Sequence, residues 1–155
     1  MSKSLSEEDN PTRAFVAEAV SSGRRNVPLE VNPALANLSA LLLESRDGEL
    51  VIRFTAQRTA TQGNGVVSGG TLASMLDLAM AMAVLSRLEP GSTCATISLT
   101  VNMQAAAKEG HLVAVAGVER VGRQVAFANA RLYGPECSRL VASASSSLAV
   151  IPVRP

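Results

Sequence analysis

The stretch that decides the fold is residues 66–85, which read VVSGGTLASMLDLAMAMAVL. Apolar side chains fall on every face of the helix that this stretch predicts, and its only charged residue is Asp77. A helix without a polar face must be enclosed by the rest of the protein rather than laid on its surface. We therefore predict a buried helix that begins near residues 69–70 and ends near residues 87–88.

The same stretch is long enough to cross a bilayer, which needs about 20 apolar residues. Asp77 near its middle would cost about 2.5–3.5 kcal/mol on insertion scales, and no second apolar span follows it. We therefore expect a helix buried in a globular domain and no membrane partner.

Two strands are predicted before this helix and four after it. Asp47-Gly48 has the residues of a tight hairpin turn between strands at 38–45 and 50–57. Beyond the helix, turns recur about every ten to twelve residues, a spacing typical of an antiparallel meander. The four later strands are predicted at residues 93–105, 111–120, 124–133 and 139–150.

The segment before the first strand is predicted to be less regular. Pro11 is suited to the first turn of a helix, so a helix is predicted over residues 11–22 with Asn10 as its N-cap. Residues 24–37 contain two further prolines and are predicted as an irregular connection. This divides the chain into an N-terminal tail, residues 1–37, and a main domain, residues 38–155.

The order of these elements indicates an α+β fold, in which a curved antiparallel sheet of about six strands wraps around one long central helix. Ala126, Ala128 and Ala130 share one face of a predicted strand. Because small side chains permit close approach, we expect this face of the sheet to lie against the helix.

Composition excludes several classes of function. The 155 residues suit one domain, and 47% hydrophobic against 17% charged residues is not a disordered composition. A net charge of +1 and only 3% aromatic residues argue against a nucleic-acid partner. The single histidine, His111, argues against a His-rich metal site, and no metal is expected. Two cysteines outside any CxxC pattern, with no secretory signal at the start, favour free thiols in the cytoplasm.

The start of the central helix is the first candidate site. The N–H groups of Gly69 and Gly70 would have no partner within the helix, and such a terminus suits an anion or a developing oxyanion. Asp77 lies about 10–12 Å further along the axis and cannot cap its own helix. Its partner must come from a loop, a strand or another subunit. The residues alone leave Asp77 open as a catalytic group or as a structural carboxylate held by backbone N–H groups.

The segment from Gln62 to Asp77 resembles the active-site signature of the hotdog-fold acyl-CoA thioesterases, in particular their PaaI-like branch. That pattern has an Asn or Gln, a glycine-containing loop, His-Gly-Gly, and an acid eight residues after the first glycine. Here Gln62 lies six residues before Ser68, Gly69-Gly70 follow, and Asp77 is eight residues after Gly69. The downstream segment 118–123, VERVGR, resembles a second motif of the family. The resemblance covers about residues 38–151.

The resemblance implies a role for each matching residue. Asp77 would be the general base or nucleophile, the Gly69 N–H would stabilise the oxyanion, and Gln62 would orient the carbonyl or the water. The substrate-binding residues would be Ser68, Gly70, Asn64, Arg120 and Arg123, of which the two arginines are candidates for the phosphates of CoA.

The resemblance also implies an assembly, because in the family the carboxylate faces the glycine of another subunit or a neighbouring loop. We therefore expect a homodimer or homotetramer that hydrolyses an acyl-CoA without metal or organic cofactor. Ser68 stands where the family has histidine, and Ala81 where a Ser or Thr is often found one turn after the acid. These departures favour slow turnover. They leave open a different class of function, an acyl-CoA-binding hotdog protein with little or no catalysis.

Overall fold

The computed structural model describes residues 9–153, and its centre is the helix that the sequence predicts. This helix, α3, spans Gly69–Leu85, and most of its side chains are buried. Met75, Leu76 and Met80 are fully enclosed. One stripe along the helix, formed by Gly70, Ser74, Asp77, Leu78 and Ala81, is exposed or half-buried. The helix is therefore enclosed on most sides, as its apolar sequence predicts, but not on all of them.

A single antiparallel sheet of seven strands curves around α3 in the order β1-β2-β3-β5-β6-β7-β4. The fold is therefore α+β, as predicted, with one strand more than expected. The strands are β1 (Val27–Pro28), β2 (Leu41–Arg46), β3 (Glu49–Ala56), β4 (Ser92–Met103), β5 (Gly110–Val121), β6 (Val125–Tyr133) and β7 (Leu140–Pro152).

Strand β6 shows how the sheet faces the helix. Its residues alternate between buried and exposed along most of its length. Ala126, Ala128 and Ala130 are buried on the concave side, whereas Phe127 between them is 43% exposed on the convex side. Register shifts in β2, β4 and β5 add to the bending of the sheet. The small side chains of β6 therefore lie where the sheet meets α3, as predicted.

The predicted hairpin between the first two long strands is present. Asp47 and Gly48 both have positive φ angles, 50° and 78°, which is the conformation that a two-residue hairpin turn requires. Leu50, Ile52 and Phe54 of the second strand are buried on one face.

The N-terminal helix α1 (Pro11–Ser21) is also confirmed, and the Asn10 side chain accepts hydrogen bonds from the N–H groups of Thr12 and Arg13. Val16 and Ala19 are fully buried in the same core as α3. The division of the chain at residue 38 stays a prediction, but the described part of the N-terminal segment shares one hydrophobic core with the sheet.

The expectation of an irregular connection at residues 24–37 is wrong in part. This segment contains β1 and a short helix, α2 (Pro33–Asn37). Asn32 caps α2 by accepting a hydrogen bond from the Ala34 N–H, and Pro33 occupies the first turn, where its missing N–H costs nothing. Prolines predict a break in structure here, whereas Pro33 starts a helix.

The first long strand begins later than predicted. Residues 38–40 end α2 and lead into β2, because Leu38 is the C-cap of α2 and Ser39 has a φ of 50° that no strand residue adopts. The boundaries of the other strands agree with the sequence within about three residues.

The two edges of the sheet differ. The β1 edge has two residues, whereas β4 at the other edge has 12. Ile97 and Met103 of β4 are large apolar residues with 58% and 47% of their surface exposed. Within residues 9–153, no helix is both long enough and apolar enough to cross a bilayer.

An ion pair fastens α1 to the loop that follows α3. Asp9 and Arg13 are joined at 2.7 Å with 12% and 9% of their side chains exposed. Arg13 also donates to the Leu88 carbonyl, and Asp9 accepts from the Gly91 N–H. The hydrogen bonds from Arg13 and Gly91 outweigh burial and lower the pKa of Asp9 to about 2.

We predict that Asp9→Asn lowers the free energy of unfolding by on the order of 1–2 kcal/mol at pH 7, because it leaves the Arg13 charge unpaired. Since the pKa of Asp9 is lowered on folding, its contribution is present above about pH 4 and is lost as the pH falls towards 2. Thermal or urea unfolding across this pH range measures the difference.

The control is Glu18→Gln, which removes an exposed ion pair with Arg24 and should change stability by less than about 0.5 kcal/mol. Equal effects of the two variants at pH 7 would contradict the role given to Asp9.

Candidate functional site

The start of α3 is capped by Ser68. The Ser68 hydroxyl accepts a hydrogen bond from the Thr71 N–H at 3.3 Å and lies 2.9 Å from the Thr71 hydroxyl. The Ser68 carbonyl accepts from the N–H groups of Thr71 and Leu72. Ser68 therefore has a local structural task, which the resemblance to a histidine position did not suggest.

Gly69 and Gly70 carry the remaining N–H groups of the first turn. The hydrogen bonds of residues 9–153 satisfy the third and fourth N–H groups of the helix and give neither glycine N–H an acceptor. Gly70 is exposed and Gly69 half-buried. Two donors at the positive end of a helix dipole are thus available to an anion or a polarised carbonyl.

The chain itself does not require glycine at these positions. A Cβ atom added to Gly70 would meet nothing within 4 Å, and one added to Gly69 would make an ordinary contact of 3.5 Å with Met103. Neither residue has a positive φ. Glycine in a helix costs up to about 1 kcal/mol relative to alanine. Some group outside the chain that approaches this backbone would account for the two glycines.

Asp77 is held by a hydroxyl from the sheet. The Thr96 hydroxyl on β4 donates to Asp77 Oδ1 at 2.7 Å. The side chain is half-buried, and among the described residues no backbone N–H donates to it. The structural alternative, a fully buried carboxylate satisfied by backbone N–H groups, does not describe this geometry. A carboxylate fixed by one hydroxyl retains a free oxygen for chemistry.

The charge of Asp77 also acts on Cys94, which precedes Thr96 on the same strand. Burial, and to a smaller degree the Asp77 carboxylate, raise the pKa of the Cys94 thiol to about 11. The thiol is therefore protonated at neutral pH and is a poor candidate for a nucleophile. Asp77 remains the candidate reactive group of this region.

Gln62 lies in the turn that precedes the start of α3. Its N–H donates to the Val66 carbonyl and its own carbonyl accepts from the Gly65 N–H, where φ is 78°. The exposed Asn64 belongs to the same turn and accepts from the Val66 N–H. Gln62 and Gly69 line one cavity of about 310 Å³, together with Met103.

Asp77 lines a different cavity, of about 330 Å³, together with residues of α2 and the exposed side of α3. One chain therefore brings Gln62 and Gly69 together but does not bring Asp77 to them. This agrees with the distance along the helix axis and leaves each part of the predicted site incomplete within a single chain.

Arg120 and Arg123 line neither of these two cavities in one chain. The Gly110 end of β5 is beside the Gln62 turn, since Lys108 forms a bridge with Val66. Arg120 lies at the other end of this strand, at most about 34 Å away, and Arg123 follows in the next turn. Arg120 also pairs with Phe127 on the convex face. A contact of either arginine with substrate stays a prediction that depends on assembly.

Comparison with known proteins agrees with this geometry. The sequence model of the thioesterase superfamily matches residues 64–139. A candidate esterase of Pseudomonas aeruginosa is 32% identical over 98 residues, covering 63% of this chain and 72% of that protein. The chain belongs to the thioesterase superfamily.

Solved structures of the superfamily share the fold. A candidate thioesterase from Ralstonia eutropha, described as related to phenylacetic acid degradation, aligns with a TM-score of 0.73 at 28% identity over 86% of this chain and 98% of that one. The PaaI protein of the Escherichia coli phenylacetic acid degradation operon aligns with a TM-score of 0.73 at 21% identity, over 97% and 98% of the two chains. The architecture is the hotdog fold of the PaaI-like branch, as the sequence resemblance implied.

The sequence did not identify two groups at this thioesterase-like site. Thr96 is 19 residues from Asp77 and has no motif that connects it to the acid. Asn37 and Leu38, at the end of α2, were assigned to a connection and a strand, but they line the Asp77 cavity. Only the packing of α2 and β4 against α3 brings these residues to the carboxylate.

We predict that Ser68→Ala destabilises the protein by about 1 kcal/mol, because the variant loses the N-cap of the central helix. Chemical denaturation measures the change. Ser74→Ala is the matched control, since the exposed Ser74 hydroxyl donates to a carbonyl within the same helix and its removal should cost less than about 0.5 kcal/mol. A Ser68→Ala variant as stable as the wild type would show that the cap contributes nothing.

Proposed function

We propose that this protein is a thioesterase that hydrolyses an acyl-CoA to the free acid and CoA. The observation that supports this most directly is the pair of unsatisfied N–H groups on Gly69 and Gly70, at glycines that the chain itself does not need. Two such donors suit the oxyanion of a tetrahedral intermediate. A carboxylate held by Thr96 supplies the base.

We propose that a complete site takes residues from two chains, with Asp77 of one protomer facing Gly69 and Gln62 of its partner. The separation of the two cavities within one chain supports this arrangement. The long exposed edge of β4, which carries Thr96 and ends at Met103 beside Gly69, offers a surface for the partner. The assembly is then a homodimer, or a homotetramer built from two dimers.

The proposed reaction uses the residues as follows. Asp77 takes a proton from water, and the resulting hydroxide attacks the thioester carbonyl carbon. The oxyanion is stabilised by the Gly69 N–H and the positive end of α3, while Gln62 orients the carbonyl or the water. The carbon–sulfur bond breaks, and the CoA thiolate recovers the proton from Asp77.

The alternative role for Asp77 is direct attack on the carbonyl carbon, which would expel CoA thiolate and leave a mixed anhydride for water to hydrolyse. In either case Gly70 and Asn64 border the substrate, and Arg120 and Arg123 are the candidates for contact with CoA phosphates in the assembly.

A second candidate function is the binding of acyl-CoA with little or no turnover. The specific observation in its favour is Ser68, whose hydroxyl is engaged with Thr71 and is less available to hold a carbonyl. A serine also has no positive charge to place beside the oxyanion. This function would keep the cavities and the glycines but make Asp77 dispensable.

The two functions are separated by thiol release over a panel of acyl-CoAs, measured together with binding. We predict that Asp77→Asn lowers turnover by a factor on the order of 10² or more, because the amide cannot accept the proton. Binding of the acyl-CoA should persist in the variant. Wild-type turnover that is unchanged in Asp77→Asn would remove the proposed mechanism, and binding without turnover in the wild type would favour the second function.

We further predict that Gly70→Ala folds at least as stably as the wild type but loses activity. Alanine favours the helix, and its Cβ meets nothing within 4 Å in the chain. The methyl group would instead obstruct a substrate or a partner chain close to the backbone. Melting temperature and thiol release are measured on the same preparation, and retention of full activity would show that nothing approaches this glycine closely.

The control for Gly70→Ala is Gly63→Ala. Gly63 also has open space for a Cβ and no positive φ, but it lies in the turn before the helix. We expect this variant to retain activity, which makes a loss in Gly70→Ala specific to the helix start.

A further inference from the structure

The short helix α2, a part of the N-terminal segment, forms one side of the cavity of Asp77. Three residues at this wall, Ala34, Asn37 and Leu38, come from α2 and its C-cap. The opposite side is formed by Thr71, Ser74 and Leu78 of the central helix.

The groove continues beyond this cavity. A second cavity, of about 220 Å³, shares Asn37, Leu38 and Thr71 with the first. It adds Thr55 and Gln57 from the end of β3 and the segment that follows. The end of α2 therefore lies at the junction of two small cavities, directly along the path that leads away from Asp77.

This wall is held firmly in place. Leu35 anchors α2 in the core with none of its surface exposed. The Thr55 N–H on β3 donates to the Leu38 carbonyl at 2.9 Å. Asn32 caps the first turn of the helix. A wall fixed by a buried anchor, a cap and a bond to the sheet can discriminate between ligands by shape, because it does not yield to them.

In the cavity of Asp77, the hydroxyls that α3 contributes are committed to the chain, whereas Asn37 is not. The Thr71 hydroxyl is paired with Ser68, and the Ser74 hydroxyl donates to the Gly70 carbonyl. The exposed Asn37 amide has no hydrogen-bond partner among residues 9–153. It can both donate and accept. Leu38 beside it is half-buried and apolar. In the second cavity, the exposed side chains of Gln57 and Thr59 also have no hydrogen-bond partner among residues 9–153.

We infer that α2 selects the acyl group, with Leu38 limiting its size and Asn37 binding a polar substituent on it. This inference rests on the proposed function and specifies its substrate. The cavity of Asp77, of about 330 Å³, is at the low end for ligand pockets, and Asn37 and Leu38 stand where it joins the second cavity. An acyl group that ends at this junction is compact rather than a long aliphatic chain. The substrate class is therefore a short acyl thioester that carries a hydroxyl or carbonyl substituent, in addition to its thioester carbonyl.

The test compares kcat/KM for pairs of acyl-CoAs of matched size, one with and one without a hydroxyl on the acyl group. We expect the wild type to prefer the hydroxylated member. In Asn37→Ala this preference should fall at least fivefold, with most of the change in KM, while the rate on the unsubstituted member stays within twofold. Leu38→Phe should reduce kcat/KM for the larger pairs at least tenfold and leave the smallest pair nearly unchanged.

The control is Ala36→Ser, an exposed position on the same helix that does not line the groove. It should leave all ratios unchanged. Asn37 is exposed, so its replacement should not affect folding, and the melting temperature of each variant verifies this. If Asn37→Ala and Leu38→Phe keep the wild-type ratios, or change every substrate by one common factor, α2 does not select the acyl group.

The outcomes also separate this inference from the proposed function. A wild type that releases no thiol from any acyl-CoA overturns the proposed function and this inference with it. A wild type that is active but has no preference for the hydroxylated member, or variants with unchanged preference, overturns this inference alone.

Discussion

Burial of α3 is the constraint on which the rest of the structure depends. Most side chains of α3 are apolar and buried, so the sheet must curve around the helix, and the small alanines of β6 let the sheet approach it closely. The sheet leaves open the start of α3 and one stripe along it, from Gly70 through Ser74 and Asp77 to Ala81. The candidate functional groups therefore lie at the start of α3 and at Asp77, the one charged residue along its length.

The features that the sequence predicts best are those encoded by residues close together in the chain. Three local sequence features predict structure that is present in the protein: the apolar run of α3, the Asp47-Gly48 turn and the cap at Asn10. Gly69 and Asp77 belong to one helix, so their separation of eight residues predicts the distance between them along the helix axis. Local sequence features gave a wrong prediction at Pro33, because proline can either interrupt a helix or occupy its first turn. The neighbouring N-cap residue Asn32 is the signal that distinguishes the two cases.

The features that the sequence could not predict depend on packing between distant segments. The bond from Thr96 to Asp77 requires β4 to pass beside the third turn of α3. The wall formed by Asn37 and Leu38 requires α2 to be fastened to β3 through Thr55. Ser68 shows the opposite case, in which a motif position suggested chemistry and the local geometry gives a helix cap. A residue type at a motif position therefore indicates where a site lies more reliably than what that residue does there.

The unequal edges of the sheet have a consequence for how copies of the protein can associate. Strand β4 is 12 residues long and contains neither a charged residue nor a proline, the usual means of preventing a free edge from pairing with other chains. The opposite edge, β1, has two residues and ends in Pro28, which cannot donate a ladder hydrogen bond. Two sheets joined along β4 would therefore present only blunt edges to a third. Pairing of this kind stops after two sheets have joined. A free edge strand that could otherwise pair into open-ended fibrils would therefore form a closed assembly of defined size.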